Sequence, residues 1–183
     1  EQKTLRSLLV GSDNYSSILN SIVSARESAR TIRDVIPRDV WEAINSLYYY
    51  VKDNTKEGLS KRGRFAYLKQ IIESAHQIFG TLDATINHDE GFLFIRFGCI
   101  IERADMTSRI LDIRSASLIT NDETKPYENI QWISLLRSLS AYQMYRQEMG
   151  VRVQRADVIE FVMHSEVFPR SIIFCLQQLK SLI

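Results

Sequence analysis

The stretch RFGCIIERADMTSRILDIR (96–114) constrains the fold most, because its apolar residues recur at helical spacing on two faces at once. At 100° per residue, one face carries Leu93, Phe97, Ile100, Ala104 and Leu111. A second, roughly opposite, carries Ile95, Cys99, Met106, Ile110 and Ile113. A surface helix has one apolar stripe, so two stripes predict a central helix over about 88–118, packed on both sides. Its charges fall between the stripes, partly sorted by sign. Arg96, Arg103 and Arg114 make a basic row, and Glu102, Asp105 and Asp112 an acidic one with Arg109 beside it. Between packed faces such groups are desolvated and need partners. The stripe Arg26, Arg30 and Arg33 in SARESARTIRD, beside Glu27, is the expected partner row. The set predicts either a salt-bridge network that fixes helix register or a charged groove for a small anionic ligand or a partner's backbone.

The rest of the chain repeats the helical pattern. Only 7 Gly and 3 Pro punctuate 183 residues, which favours long helices over a turn-rich β fold. A short helix holds Leu5, Leu8 and Leu9, and Asp13 and Asn14 offer caps for a helix over 14–34. Pro37 suits the first turn of a helix with Trp41, Ile44, Leu47 and Tyr48. KDNTKEG (52–58) reads as a loop, 60–79 as a helix stopped by Gly80, and Asn87 with Glu90 as a capping box opening the central helix. TNDETKP (120–126) reads as a loop, 128–148 as one helix ending at Gly150, and 156–164 as a short helix before a last one opened by Pro169. The expected fold class is an all-α multi-helix bundle, one domain over 1–183.

Segments 5–22 and 159–176 align without gaps. Leu5, Leu8 and Leu9 fall on Ile159, Val162 and Met163, and Ser17, Ile18 and Ile22 fall on Ser171, Ile172 and Leu176. Each reads as short helix, tight turn, longer helix, so an internal repeat is expected, with most of its first copy lying upstream of the chain.

The net charge of +1 gives no general pull toward nucleic acid or an anionic membrane. KRGR (61–64) reads as a solvated helix start. No apolar run is long enough to span a bilayer, and Cys99 and Cys175 sit in apolar runs, as small buried hydrophobes do in a reducing compartment. A cytoplasmic location is expected. Catalytic motifs are sparse. Glu73 and His76 have the spacing used by di-iron bundles, but that architecture needs two such pairs, so no metal or other cofactor is expected. His88 and Asp89 read as helix-terminus residues. Tyr48, Tyr49 and Tyr50 with Trp41 read as bundle core and rim, or as an aromatic partner surface.

GTLDATINHDEGFLFIRFGCIIERADMTSRILD (80–112), with its Glu102-Arg103-Ala104-Asp105, resembles the signature of the bacterial alpha-E domain family. SARESARTIRDVIPRDVWEAIN (24–45), WISLLRSLSAYQMYR (132–146) and VIEFVMHSEVFPRSIIFCL (158–176) agree in order. By this resemblance Arg26, Glu27, Arg30, Asp89, Glu90, Arg96, Glu102, Arg103 and Asp105 match the family's charged positions, while Cys99 and Ile100 stand where an Arg-Tyr pair is common. The resemblance implies a longer protein, truncated here at its N-terminal side. It also implies an accessory role in peptide synthesis or tagging, beside circularly permuted ATP-grasp proteins and transglutaminase-like peptidases. The alternative is a helical enzyme using Glu102, Asp105 and nearby arginines for acid–base or metal-assisted chemistry.

Overall fold

The computed structural model describes residues 2–119 and 128–183, with the side chains of 114–119 left aside. Among the described residues every regular element is a helix. The chain divides into two compact units, Glu1–Asn87 and His88–Ile183.

The first unit holds α1 (Gln2–Val10), α2 (Ile18–Thr31), α3 (Arg38–Asp53), α4 (Thr55–Leu59) and α5 (Arg64–Thr85). Leu9, Leu47, Val51 and Tyr67 form its core, with Ile18, Ile22 and Ile71 packed around them. Tyr67 is buried whole, because its hydroxyl donates to the Val51 carbonyl at 3.1 Å and its ring stacks on Tyr50. Gly58 makes room for that ring, since a Cβ there would lie 2.6 Å from it.

Several local expectations shift here. α2 is capped by Ser17, whose Oγ accepts from the Asn20 N–H at 3.3 Å, rather than by Asp13 or Asn14. It ends at Thr31, so Arg33 lies in the following turn. The expected loop 52–58 contains the helical turn α4. Gly80 does not stop α5, which runs on to Thr85. A glycine C-cap works through positive φ, and Gly150 is the glycine that adopts it, at φ 96°. Beyond Gly80 the chain still has Leu82 and Ile86 to bury, which keeps the helix in register.

The second unit holds α6 (Glu90–Ile119), α7 (Glu128–Ser138), α8 (Tyr142–Glu148), α9 (Arg155–His164) and α10 (Ile172–Ser181). Its core runs through Trp132, Leu135, Leu136, Tyr145, Val158, Phe161, Val162 and Phe168. The one helix expected over 128–148 is two. Ser140 takes φ 54°, and the Ala141 N–H donates to the Leu136 carbonyl at 2.7 Å. That break turns Leu139, Ala141 and Tyr145 into the core together, which a straight helix cannot do. The loop expected over 120–126 lies outside the described residues.

α6 matches the expected central helix closely at its start, but its cap falls on Asp89. The Asp89 carboxylate accepts from the Phe92 N–H at 3.2 Å, one turn in, so the cap falls two residues beyond Asn87, and Phe92 at the third helical position cannot complete a capping box. Glu90 becomes the acid in the first turn, where it favours the positive end of the helix dipole. His88 stacks on Phe92, ring centroids 3.9 Å apart.

Candidate functional site

The charged positions singled out by sequence gather in two places, one in each unit. In the second, the fully buried residues of α6, Phe92, Ile100 and Thr107, lie on one face. α10 packs along α6. The second expected stripe is mixed: Met106 is 47% and Ile113 68% exposed, whereas Ile95 and Cys99 are half-buried and Ile110 packs against the core of the unit. Of the charged residues expected between two packed faces, Arg103 and Asp105 are half-buried, while Arg96, Glu102, Arg109 and Asp112 are exposed.

Arg103 belongs to the buried side. It is half-buried, and its Nη1 donates to the Pro169 carbonyl at 3.5 Å. That carbonyl also receives the Cys175 thiol at 3.7 Å. Arg103 thus pins α6 to the corner that opens α10. Burial pushes both the Cys99 and the Cys175 thiol above the ordinary range, while the positive charge of Arg103 pulls each partly back. Both cysteines are free. Arg96 lies exposed on α6, and the side chain of Arg114 falls outside the described residues.

On the acidic row Glu102 and Asp112 face out and Asp105 is half-buried. Asp105 holds Arg109, one turn on, at 2.7 Å. The Asp105 hydrogen bond and charge, with Glu102 adding, raise the Arg109 pKa. Among the described residues Glu102 and Asp112 have no hydrogen bond or ion pair.

In the first unit the arginines meet aromatic rings. The Arg26 Nε donates to Asn45 Oδ1 at 2.7 Å, and its guanidinium lies 4.8 Å from the Tyr48 ring centroid and 5.7 Å from that of Trp41. Asn45 is held in place by its own donation to the Trp41 carbonyl. Glu27 pairs with Arg26 at 3.4 Å and with Arg30 at 2.8 Å. Arg33, released from the helix by the early end of α2, lies over Trp41 at 5.5 Å, and Lys52 over Tyr48 at 5.7 Å. The expected counter-row for these arginines was the acidic row of α6. Within their own units, Arg26 and Arg30 pair with Glu27, and Asp105 pairs with Arg109.

Sequence reasoning picked out Arg26, Glu27, Arg30 and Arg33 but missed Asn45 and Lys52 as part of the set. The signal was present: Trp41, Tyr48 and Lys52 follow at i, i+7 and i+11 on α3, one side of a helix. Glu73 is engaged by Lys69 at 3.6 Å, and His76 is exposed. Among the described residues no group of three or more His, Cys, Asp or Glu is placed to hold a metal ion. Among them, too, no helix is long and apolar enough to cross a membrane.

A long, capped central helix carrying one Glu-Arg dipeptide inside an all-helical chain defines a class. A family model described as a predicted alpha-helical domain with a conserved ER motif matches residues 1–183. The chain belongs to this Alpha-E family. Glu102-Arg103 is the only Glu-Arg pair in the sequence and so answers to the motif. No curated protein and no solved structure matches the chain.

Proposed function

We propose that this chain is a helical accessory protein that binds a circularly permuted ATP-grasp peptide ligase, beside a transglutaminase-like peptidase, in a peptide-synthesis or peptide-tagging system. The observation that carries this reading is the division of labour inside the ER motif. Arg103 works inward, on the Pro169 carbonyl. Glu102 is exposed on a helix face that also exposes Met106 and Ile113. An exposed carboxylate with no hydrogen bond or ion pair among the described residues, set beside exposed apolar side chains, has the make-up of a protein-binding surface: apolar anchors within a polar rim.

The test is co-elution on a sizing column of the chain with the ATP-grasp protein encoded beside it. A stable complex is expected, and Glu102→Lys is expected to weaken it at least tenfold without altering the helical circular dichroism. Separate elution of the two wild-type proteins overturns the reading. A Glu102→Gln variant that keeps the complex but abolishes a turnover seen with wild type would replace it with the enzymatic alternative.

A further inference from the structure

The face between α2 and α3 carries a row of alternating cations and rings. Trp41 and Tyr48 are two turns apart on α3, ~10.5 Å along the axis. Arg26 bridges both rings, Arg33 covers Trp41 from one end, and Lys52 covers Tyr48 from the other. A guanidinium over a ring uses its flat face, which leaves its N–H edges for acceptors lying in its plane.

Those edges are unequally occupied. Arg26 gives its Nε to Asn45 and shares Glu27 with Arg30. Among the described residues Arg33 and Lys52 have neither hydrogen bond nor ion pair, and both are exposed. In this set of Arg26, Arg30, Arg33 and Lys52, Glu27 is the one paired carboxylate among the described residues. Holding like charges on fixed rungs costs free energy, which a bound anion offsets. The rungs do not converge on a point, as donors around a single phosphate do. They run in line, with the free donors at the two ends.

We propose that this row is the docking surface for an acidic stretch of polypeptide. Carboxylates about 10 Å or more apart, two turns along a helix or roughly three residues along an extended chain, meet both ends of the row. Trp41, Tyr48 and the half-exposed Tyr49 supply apolar contact between them. The proposal takes from the accessory role only that the ligand is a polypeptide, and its test needs no ligase.

The test is fluorescence anisotropy of a labelled octaglutamate peptide titrated with the whole chain. Saturable binding is expected at 50 mM salt, weakening at least tenfold at 300 mM as the charges are screened. Arg33→Glu and Lys52→Glu are each expected to weaken it tenfold or more. Both side chains are exposed, and thermal melts check that the variants stay folded. Lys69→Glu, on α5, is expected to change binding less than twofold. Absence of saturable binding overturns the proposal, as does an equal loss with Lys69→Glu. Tighter binding of an oligothymidylate of the same charge would also overturn it, in favour of a nucleic-acid surface.

Discussion

The corner between α1 and α2 and the corner between α9 and α10 follow one backbone path with different side chains. In the first, Gly11 N–H donates to the Ser7 carbonyl at 3.1 Å, Ser17 N–H to the Asn14 carbonyl at 2.9 Å, and Ser21 N–H to the Ser17 carbonyl at 2.9 Å. Shifted by the repeat, Ser165 donates to Phe161 at 3.1 Å, Ser171 to Phe168 at 2.9 Å, and Cys175 to Ser171 at 3.1 Å. Ser17 and Ser171 are both fully buried N-caps with nearly the same φ and ψ. The filling differs. The first corner is laced by amides: the Asn20 side chain donates to the Gly11 and Asn14 carbonyls, and the Asn14 side chain to Ser7. The second is plugged by Phe168, stacked on Phe161 at 4.9 Å, with Ser165 donating to Glu148 at 2.8 Å. Backbone path and cap survive as a repeat, while the means of holding the corner shut is free to change. The entering helix differs too. Val158, Phe161 and Val162 are buried on α9, whereas their counterparts Thr4, Ser7 and Leu8 are exposed on α1.

The sharpest way to break this comparison is to empty each corner. Phe168→Ala removes a buried ring and is expected to cost about 3–5 kcal/mol. Asn14→Ala at the matching position removes partly solvated hydrogen bonds and is expected to cost about 1 kcal/mol. Urea unfolding compares them, followed by Trp132 for the second unit and Trp41 for the first. Equal losses would mean that both corners are held by the same kind of force. A second, smaller effect separates the corners at Gly11 and Ser165. A Cβ on Gly11 would lie 2.6 Å from the Ser7 carbonyl oxygen, a backbone atom, so Gly11→Ala is expected to cost about 1–3 kcal/mol. Ser165 occupies the equivalent place with a side chain. A neutral Gly11→Ala would show that the two corners are closer in conformation than their hydrogen bonds indicate.

What the sequence disclosed follows the same line. The repeat was legible because capping needs a serine and the flanking helices keep their apolar period. The start of α6 was legible to within two residues, but its cap was placed on Asn87. Asn87, His88, Asp89 and Glu90 all suit a helix start, and only the bond from Phe92 selects Asp89. The break at Ser140 was hidden, because 128–148 contains no glycine or proline and its helix-forming residues run on. Two apolar stripes on α6 were correctly placed on the wheel, yet periodicity records which residues share a face and not whether that face is covered. The basic stripe of α2 was visible, but its aromatic partners lie on another helix, at a separation local spacing does not report.

The caps themselves give the next contrast. Ser17→Ala removes the acceptor for the Asn20 N–H and is expected to cost about 1 kcal/mol. Ser171→Ala removes the acceptor for Phe174 N–H and also the hydroxyl that donates to the Ser165 carbonyl, leaving that buried group short of a partner. About 2 kcal/mol is expected there. Thermal melts of both variants, with threonine replacements as rescue, measure the gap. Equal costs would mean that the hydroxyl bond to Ser165 adds nothing.

The smallest predicted effect asks whether the two units share a device as well as a corner. Each buries one tyrosine whose hydroxyl donates to a backbone carbonyl: Tyr67 to Val51, and Tyr145 to Arg152 at 2.9 Å. Burial pushes both hydroxyls above the ordinary tyrosine range, with Tyr50 adding for Tyr67. For Tyr145 a backbone hydrogen bond at Gln154 opposes the rise. An unfolded tyrosine ionises near pH ~10. The folded state holds its proton to higher pH, so the stabilisation is complete below about pH 10 and fades as pH climbs through the folded value. Tyr67→Phe and Tyr145→Phe are each expected to cost about 1 kcal/mol at pH 8, because a buried carbonyl loses its donor. Above pH 10 the wild type loses stability that the phenylalanine variants do not, so the gap narrows. Urea midpoints at pH 8 and pH 11 read both quantities, and a gap that stays constant would separate the hydroxyl's hydrogen bond from its ionisation.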